Sequence, residues 1–296
     1  VFGKTRSAFY KAEEKTSHDN LEHALIVGEV REIRKDQPYL GTEKIYHKIK
    51  PFLKDHSIKI GRDKLNKLLK TYHLQSNRRK RRAGGTNSNH SYRKYPNLAK
   101  DVKPVRPNEL WSSDITYIHR FQDFSYLSLI TDSYSHKIVG WYLSKNLSTD
   151  GPVKALEMAL LNRRKDKAAK LPLMHHSDRG IQYCSRAYIS LLKKRNVTIS
   201  MSRASYQNPV AERINGILKT ELLQDGYPTH EEALAAIEAA ILIYNEERPH
   251  RSIDMLTPAQ AHKKSGPLKR RWRSSRSRKK RSKSSENLNN DEVAVT

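Results

Sequence analysis

The chain has 296 residues, with 57 Lys and Arg against 31 Asp and Glu, a formal net charge of +26 and a single cysteine, Cys184. One cysteine excludes an internal disulfide and a Cys₂His₂ zinc site, no apolar run approaches the roughly 18 residues that cross a bilayer, and no secretory signal opens the chain. The charge excess points to nucleic acid more than to a membrane surface, because the basic runs lack an amphipathic apolar face; a solvated surface that aids solubility is the plainer alternative.

The excess is segregated. Residues 1–107 carry 26 basic and 11 acidic residues, residues 108–262 carry 19 and 17, and residues 263–296 carry 12 and 3. A nearly neutral middle between basic flanks suggests a folded catalytic body between polyanion-binding arms. The chain opens Val1-Phe2-Gly3 without Met, as expected of a fragment, a processed chain or the downstream half of a longer product.

Residues 20–35, 42–54 and 62–72 read as short helices. Ile45, Ile49, Phe52 and Leu53 share a face of the second, and Leu65, Leu68, Leu69 and Tyr72 share a face of the third. The third turns Arg62, Lys64, Asn66, Lys67 and Lys70 outward. A helix pair ending in a basic, Asn-bearing helix fits a helix-turn-helix DNA reader; an ordinary three-helix bundle with solvated charges fits equally. Arg78, Arg79, Lys80, Arg81 and Arg82 then run into Gly, Ser and Asn. This is the composition of a flexible linker that binds backbone phosphates, or simply of a disordered connector.

From residue 108 the pattern becomes strand-like. Trp111–Arg120, Phe124–Tyr134 and Lys137–Asn146 are β-rich runs separated by turn residues, expected as an antiparallel meander. Ser148-Thr-Asp150 caps a helix with Val153, Leu156, Ala159 and Leu160 on its apolar face. A strand at Leu171–Ser177, a helix near 185–195 and a short strand at Val197–Met201 follow. This is the element order of a ribonuclease-H-like α/β fold. Asn208 and Pro209 suit the N-cap and first position of the next helix. Val210, Ile214, Ile217, Leu218 and Leu222 form its apolar stripe, and Glu212, Asn215, Gly216 and Lys219 lie opposite. The last long helix, 231–247, begins with the capping box Thr229-x-x-Glu232 and buries Leu234, Ile237, Ile241 and Tyr244.

Asp114 and Asp178 on strand positions, with Glu212 on a later helix, can converge on a pair of Mg²⁺ ions that activate an attacking oxygen at a phosphodiester. Other polar groups have plainer readings. Asp132 is expected to cap a turn. His175 and His176 are expected to pack or to sit behind the site, and His176 shares the side of Asp178 by alternation. Pro249-His250-Arg251 either touches DNA or ends a helix. The ten Lys and Arg of 269–283 bind DNA without sequence preference, remain disordered, or both.

Four segments in order carry a specific resemblance: Trp111-Ser-Ser-Asp-Ile-Thr-Tyr117, His176-Ser-Asp-Arg-Gly-Ile-Gln-Tyr183, Ala211-Glu-Arg-Ile-Asn-Gly-Ile-Leu-Lys219 and Tyr244-Asn-Glu-Glu-Arg-Pro-His250. Over residues 20–262 the chain resembles the bacterial insertion-sequence DDE transposases of the orfB type, with their retroviral-integrase-like core. The resemblance implies an α/β, ribonuclease-H-like core of a mixed five-stranded sheet flanked by helices, preceded by a small all-α helix-turn-helix domain. The expected divisions are a DNA-binding region 1–77, a basic flexible linker 78–107, the core 108–262 and a basic disordered tail 263–296. It implies Asp114, Asp178 and Glu212 as ligands of two Mg²⁺ ions, with Mn²⁺ able to substitute. Lys219 matches the basic residue that follows the family's glutamate and would contact DNA, as would Arg62, Lys64, Asn66, Lys67 and Arg78–Arg82. His176 and Arg179 would stand behind the ligands.

The implied activity is cleavage of element ends and strand transfer, acting on double-stranded terminal repeats and target DNA. It would run as a homo-oligomer, with or without an upstream-frame protein, in the bacterial cytoplasm at the nucleoid. A nuclease of the same fold, or a decayed copy kept as a DNA-binding regulator, are the alternatives. The interval from Asp178 to Glu212 is two residues shorter than is usual for the family. The shortening falls in the Ser202–Asn208 loop, and Glu221, the next acid, points elsewhere.

Overall fold

The computed structural model describes residues 5–76, 90–164, 170–202 and 208–271. Three helices come first: α1 (Arg6–Asp36), α2 (Thr42–Asp55) and α3 (Arg62–Thr71). Ile26, Val27, Val30, Leu40, Ile45, Ile49, Leu53, Leu65 and Leu69 interlock as their common core. Helix α1 starts well before the expected residue 20. Thr5 caps it by accepting from the Ala8 amide at 3.3 Å, and among its described side chains Ile26 is the first that is buried. Apolar periodicity marks only the packed half of a helix, so the solvated half gave no signal.

The second unit is a five-stranded sheet ordered β3-β2-β1-β4-β5. Strands β1 (Leu110–His119), β2 (Phe124–Asp132) and β3 (Ile138–Ser144) form the antiparallel meander. Strands β4 (Met174–Ser177) and β5 (Thr198–Met201) add to β1 in parallel. Helices α4 (Asp150–Arg164), α5 (Ile181–Cys184) and α6 (Arg186–Lys194) lie between these strands in the chain. Helix α7 (Pro209–Ile217), a π turn (Leu218–Leu222), α8 (His230–Glu246) and α9 (Pro258–Ala261) follow. Both faces are covered, as parallel pairing requires. Trp111, Ile115, Ile130, Leu156, Tyr188 and Leu192 build one core, and Ile118, Leu127, Leu129, Ile214, Ile237 and Tyr244 build the other. This mixed sheet with helices on both faces is the ribonuclease-H-like architecture. At Gly140 a Cβ would lie 2.2 Å from the Ala155 carbonyl oxygen, so glycine on β3 is what lets α4 seat on the sheet.

Several expectations shift. Leu234 is 38% exposed, and Ala233 takes its place in the core. The strand expected from Leu171 is ordered as a strand only from Met174, and Pro172 just before it has no amide to give to a ladder. Within the span assigned to a flexible linker, Pro96, Leu98 and Ala99 bond to the β5 edge. Met201 donates to the Pro96 carbonyl at 3.1 Å, and the Leu98 and Ala99 amides donate to Ser200 Oγ at 2.9 and 3.1 Å. A sheet edge with free hydrogen-bonding groups accounts for this strap. The start of the expected disordered tail is also docked: Gly266 donates to the Val105 carbonyl at 2.7 Å, and Arg271 reaches Asp254 at 2.6 Å. Arg78–Arg82 and residues 272–296 lie outside the described residues.

Candidate active site

Strands β1 and β4 are adjacent and parallel, with Ser112 beside His176. Continuing that register two residues brings Asp114 and Asp178 level with each other. Asp178 is the first residue past β4, and its Oδ1 accepts the Gly180 amide at 2.9 Å, which turns the chain away and leaves the carboxylate at the strand end. Asp114 points to the face of the sheet covered by α7, where Asn215 Nδ2 donates to its Oδ2 at 2.7 Å. Helix α7 is fastened at its start as well, by Asn208 Nδ2 donating to the Ser113 carbonyl at 2.8 Å. Asn208 stands at the expected N-cap position, but its side chain makes no capping bond and spends its amide on the strand instead. Glu212 lies in the first turn of α7, half-buried.

Electrostatics report the convergence. Burial, the Asp178 charge and the Glu212 charge together raise Asp114 to about 7, although the Asn215 bond favours its ionised form. Both other carboxylates thus bear on Asp114. The three do not gather around a single point: among the described residues only His18, Asp19 and Glu22, on exposed α1, bring three ligand atoms within 4.8 Å of one another. Donors for two cations need not share one point, and hard carboxylate oxygens are the donor type that divalent ions such as Mg²⁺ take.

Lys219 sits in the π turn, half-buried. Burial holds its ammonium below the ordinary lysine range, and the Asp114 charge opposes that effect. His176 is buried, with Nδ1 bonded to Ser200 Oγ at 2.9 Å. Arg179 turns toward the strap: it donates to the Tyr95 carbonyl at 3.2 Å, and its own carbonyl bonds His90 Nε2 at 2.8 Å. Asp132 is a buried turn cap, accepting the Asn108 amide and both the amide and hydroxyl of Ser135 at 2.7 to 2.8 Å. His250 belongs to the interior, and Arg248 beside it donates to its Nε2 at 2.8 Å.

Sequence reasoning placed Asn215 and Gly216 on an open side of the α7 helix. Both are buried, and Asn215 is the residue that grips Asp114. An amide three residues after the glutamate, on the same helix face, was the available signal. In the helical unit Arg62, Lys64, Asn66, Lys67 and Lys70 are exposed on α3. Beside them a cleft of about 590 Å³ is lined by Tyr46, His47, Lys50, Lys59 and Arg271 among others.

The integrase core domain family matches residues 104–206, and a second integrase core domain description matches 195–258. The chain is 32% identical over 275 residues to the 31 kDa protein of insertion element IS600 from Shigella sonnei, covering 89% of this chain and 97% of that one. It is 36% identical over 128 residues to the putative transposase of IS986/IS6110 from Mycobacterium tuberculosis, covering 42% and 46%. With the transposase InsF of IS3A from Escherichia coli it shares 31% over 171 residues, covering 56% and 58%. The matches thus span about half the length of these two named transposases. A solved structure of the HTLV-2 integrase catalytic core domain with magnesium is similar at 19% identity and a TM-score of 0.42, covering 54% of this chain and 99% of that one.

Proposed function

Because the chain belongs to the integrase-core transposases of bacterial insertion sequences, of the orfB type, we propose that Asp114, Asp178 and Glu212 are its catalytic carboxylates and hold a pair of Mg²⁺ ions. The observation that carries this reading is geometric: the parallel register of β1 and β4 leads Asp114 and Asp178 to the same strand end, and Asn208 and Asn215 fasten the helix of Glu212 to β1 there; burial and the Asp178 and Glu212 charges raise Asp114 accordingly. When bound there, divalent cations supply Lewis-acid polarisation of the scissile phosphate and a more acidic attacking water or hydroxyl, work that Mn²⁺ also does.

The chain's own residues supply the geometry. Asn215 fixes one oxygen of Asp114, and the Gly180 amide fixes one oxygen of Asp178. Lys219 offers a point charge to the phosphate of the entering strand. The reaction is two displacements at phosphorus. Water first breaks a P–O bond at the element end and frees a 3′-hydroxyl. That hydroxyl then attacks a target phosphodiester, expelling the target's own 3′-oxygen, with no covalent enzyme intermediate.

The basic flanks serve binding. The outward residues of α3, with Lys64 and Asn66 among them, read the terminal repeat as a helix-turn-helix would. Arg78–Arg82 and the tail beyond Arg271 neutralise phosphates. His176 and Arg179 stiffen the strand end and the strap behind Asp178. The working form is a homo-oligomer on DNA at the bacterial nucleoid, assisted or not by an upstream-frame protein. A strand-transfer assay with Mg²⁺ on labelled terminal-repeat DNA tests the reading. Joined product supports it, cut-only product assigns a nuclease, and bound but unchanged probe assigns a DNA-binding regulator.

A further inference from the structure

Glu221 and the Tyr244–His250 segment have no part in the site described above, yet they form the most heavily bonded ionic cluster among the described residues. Arg248, with a side chain 2% exposed, donates through Nε and Nη2 to Glu221 at 2.9 and 2.8 Å. Lys44 on α2 reaches both oxygens of the same carboxylate at 3.1 and 3.2 Å. Burial alone would raise Glu221, but the Arg248 and Lys44 charges overcome it and hold the carboxyl below its usual range. Burial, with Arg248 repelling, pushes Lys44 down to about 8. The carboxylate therefore belongs chiefly to Arg248, and Lys44 is the outer partner that ties in the helical unit.

Arg248 is itself immobilised. Just before it on α8, Asn245 accepts the Ile138 amide and donates to the Ile138 carbonyl, both at 3.0 Å, and the Tyr244 hydroxyl donates to the His136 carbonyl at 2.9 Å. The guanidinium is thus built onto the β2–β3 corner of the sheet. What it grips is the π turn. Lys219, Thr220 and Glu221 are consecutive in that turn, which the Leu223 amide closes on the Leu218 carbonyl at 2.9 Å. Single π turns within helices are rare and cluster at functional sites, where outside contacts hold them. Here the Thr220 hydroxyl, bonded to the Gly216 carbonyl at 2.7 Å, secures one side and Glu221 the other.

We propose that Arg248 and Glu221 are positioning residues for strand cleavage: their two-pronged ion pair fixes the π turn that presents Lys219 to Asp114, and Lys44 couples that hold to the helical unit. The inference rests on the role given above to Lys219. The pair touches no DNA in this scheme, so its loss should alter the rate and not the affinity.

Four full-length variants test this: Lys219→Ala, Arg248→Lys, the double Glu221→Leu/Arg248→Met, and that double with Lys219→Ala added. Breaking one partner alone leaves a buried charge, whereas replacing both by apolar groups is often tolerated. Each protein is first melted thermally and titrated with terminal-repeat DNA, then assayed for single-turnover cleavage at saturating protein. The expected result is DNA affinity within about twofold of wild type and cleavage slowed at least tenfold for the double variant, since a displacement of about 1 Å can cost a hundredfold. Adding Lys219→Ala should slow it little further, because both changes remove the same placement. Should the double variant melt early, Arg248→Lys, which keeps the charge and loses the fork, carries the same comparison. Wild-type cleavage in the clamp variants beside an impaired Lys219→Ala overturns the inference alone, as do losses that simply multiply. Wild-type cleavage by Lys219→Ala overturns the role of Lys219 and the inference with it.

Discussion

With no cation bound, an ionised Asp114 is a cost to the fold, and Asp114→Asn is expected to remove that cost while ending cleavage. The carboxyl is raised from 3.8 to about 7 in the folded chain. At about 1.4 kcal/mol per unit, its ionised form costs the fold at most ~4 kcal/mol above pH 7. Asp114 is only partly covered, and solvent screening reduces the cost to about half that figure, ~2 kcal/mol. The sign follows from the direction of the shift. Below the unfolded value both states are protonated and there is no penalty. As pH rises from about 4 to 7 the unfolded state loses its proton first, so stability falls. In EDTA at pH 7.5 the Asn variant should therefore melt higher than wild type by roughly 4–8 °C, at about 2–4 °C per kcal/mol for a domain of this size. The two should converge near pH 4. Mg²⁺ should raise the wild-type melting temperature and leave that of the variant nearly unchanged. Equal melting in EDTA, or equal stabilisation of both proteins by Mg²⁺, would refute the view that Asp114 is strained in order to hold a cation.

Further outcomes follow from the same geometry. Asp178→Asn and Glu212→Gln should each abolish cleavage and joining but keep DNA affinity within a few-fold, if affinity resides in the basic flanks as proposed; strand transfer at the wild-type rate by either variant removes that residue from the site. Neutralising Arg78–Arg82 should weaken specific and random DNA alike and lower the salt slope by up to about 0.9 for each phosphate that is no longer neutralised. Changing Lys64 or Asn66 should instead erode discrimination, and equal loss of specificity by both sets would count against this division. Gly140→Val should leave little soluble protein or lower stability by about 3 kcal/mol or more, because even a Cβ there meets the Ala155 carbonyl at 2.2 Å. A melting temperature within a degree of wild type would show that α4 can move aside.

Local patterns in the chain were enough for much of the architecture. Alternating β-rich runs marked the meander, period-3.6 stripes marked α2, α3 and α7, and the order of elements selected the fold without any long-range pairing. The segments around Asp114, Asp178, Glu212 and Lys219 were legible because each is a short run of distinctive residue types. Less legible were features whose partners are distant in sequence. The first half of α1 has no buried stripe, and Leu234 and Ala233 exchange roles with a small change of helix phase. The strap at 96–99 follows from an open β5 edge that no local pattern announces.

The sequence by itself offered the candidate side chains for the chemistry and most of the faces that must leave water, because residue type and periodicity are local properties. Only the tertiary structure decided how those side chains act together. Parallel pairing of β1 with β4 sets Asp114 level with Asp178, Asn215 of α7 grips Asp114 from across 101 positions, and Arg248 holds Glu221 from 27 positions away. The physical reason is that burial changes what a polar group requires. In a medium of low dielectric an amide, a carboxylate or a guanidinium must find a partner, and the packing of distant elements, not the neighbouring residues, decides which partner is within reach.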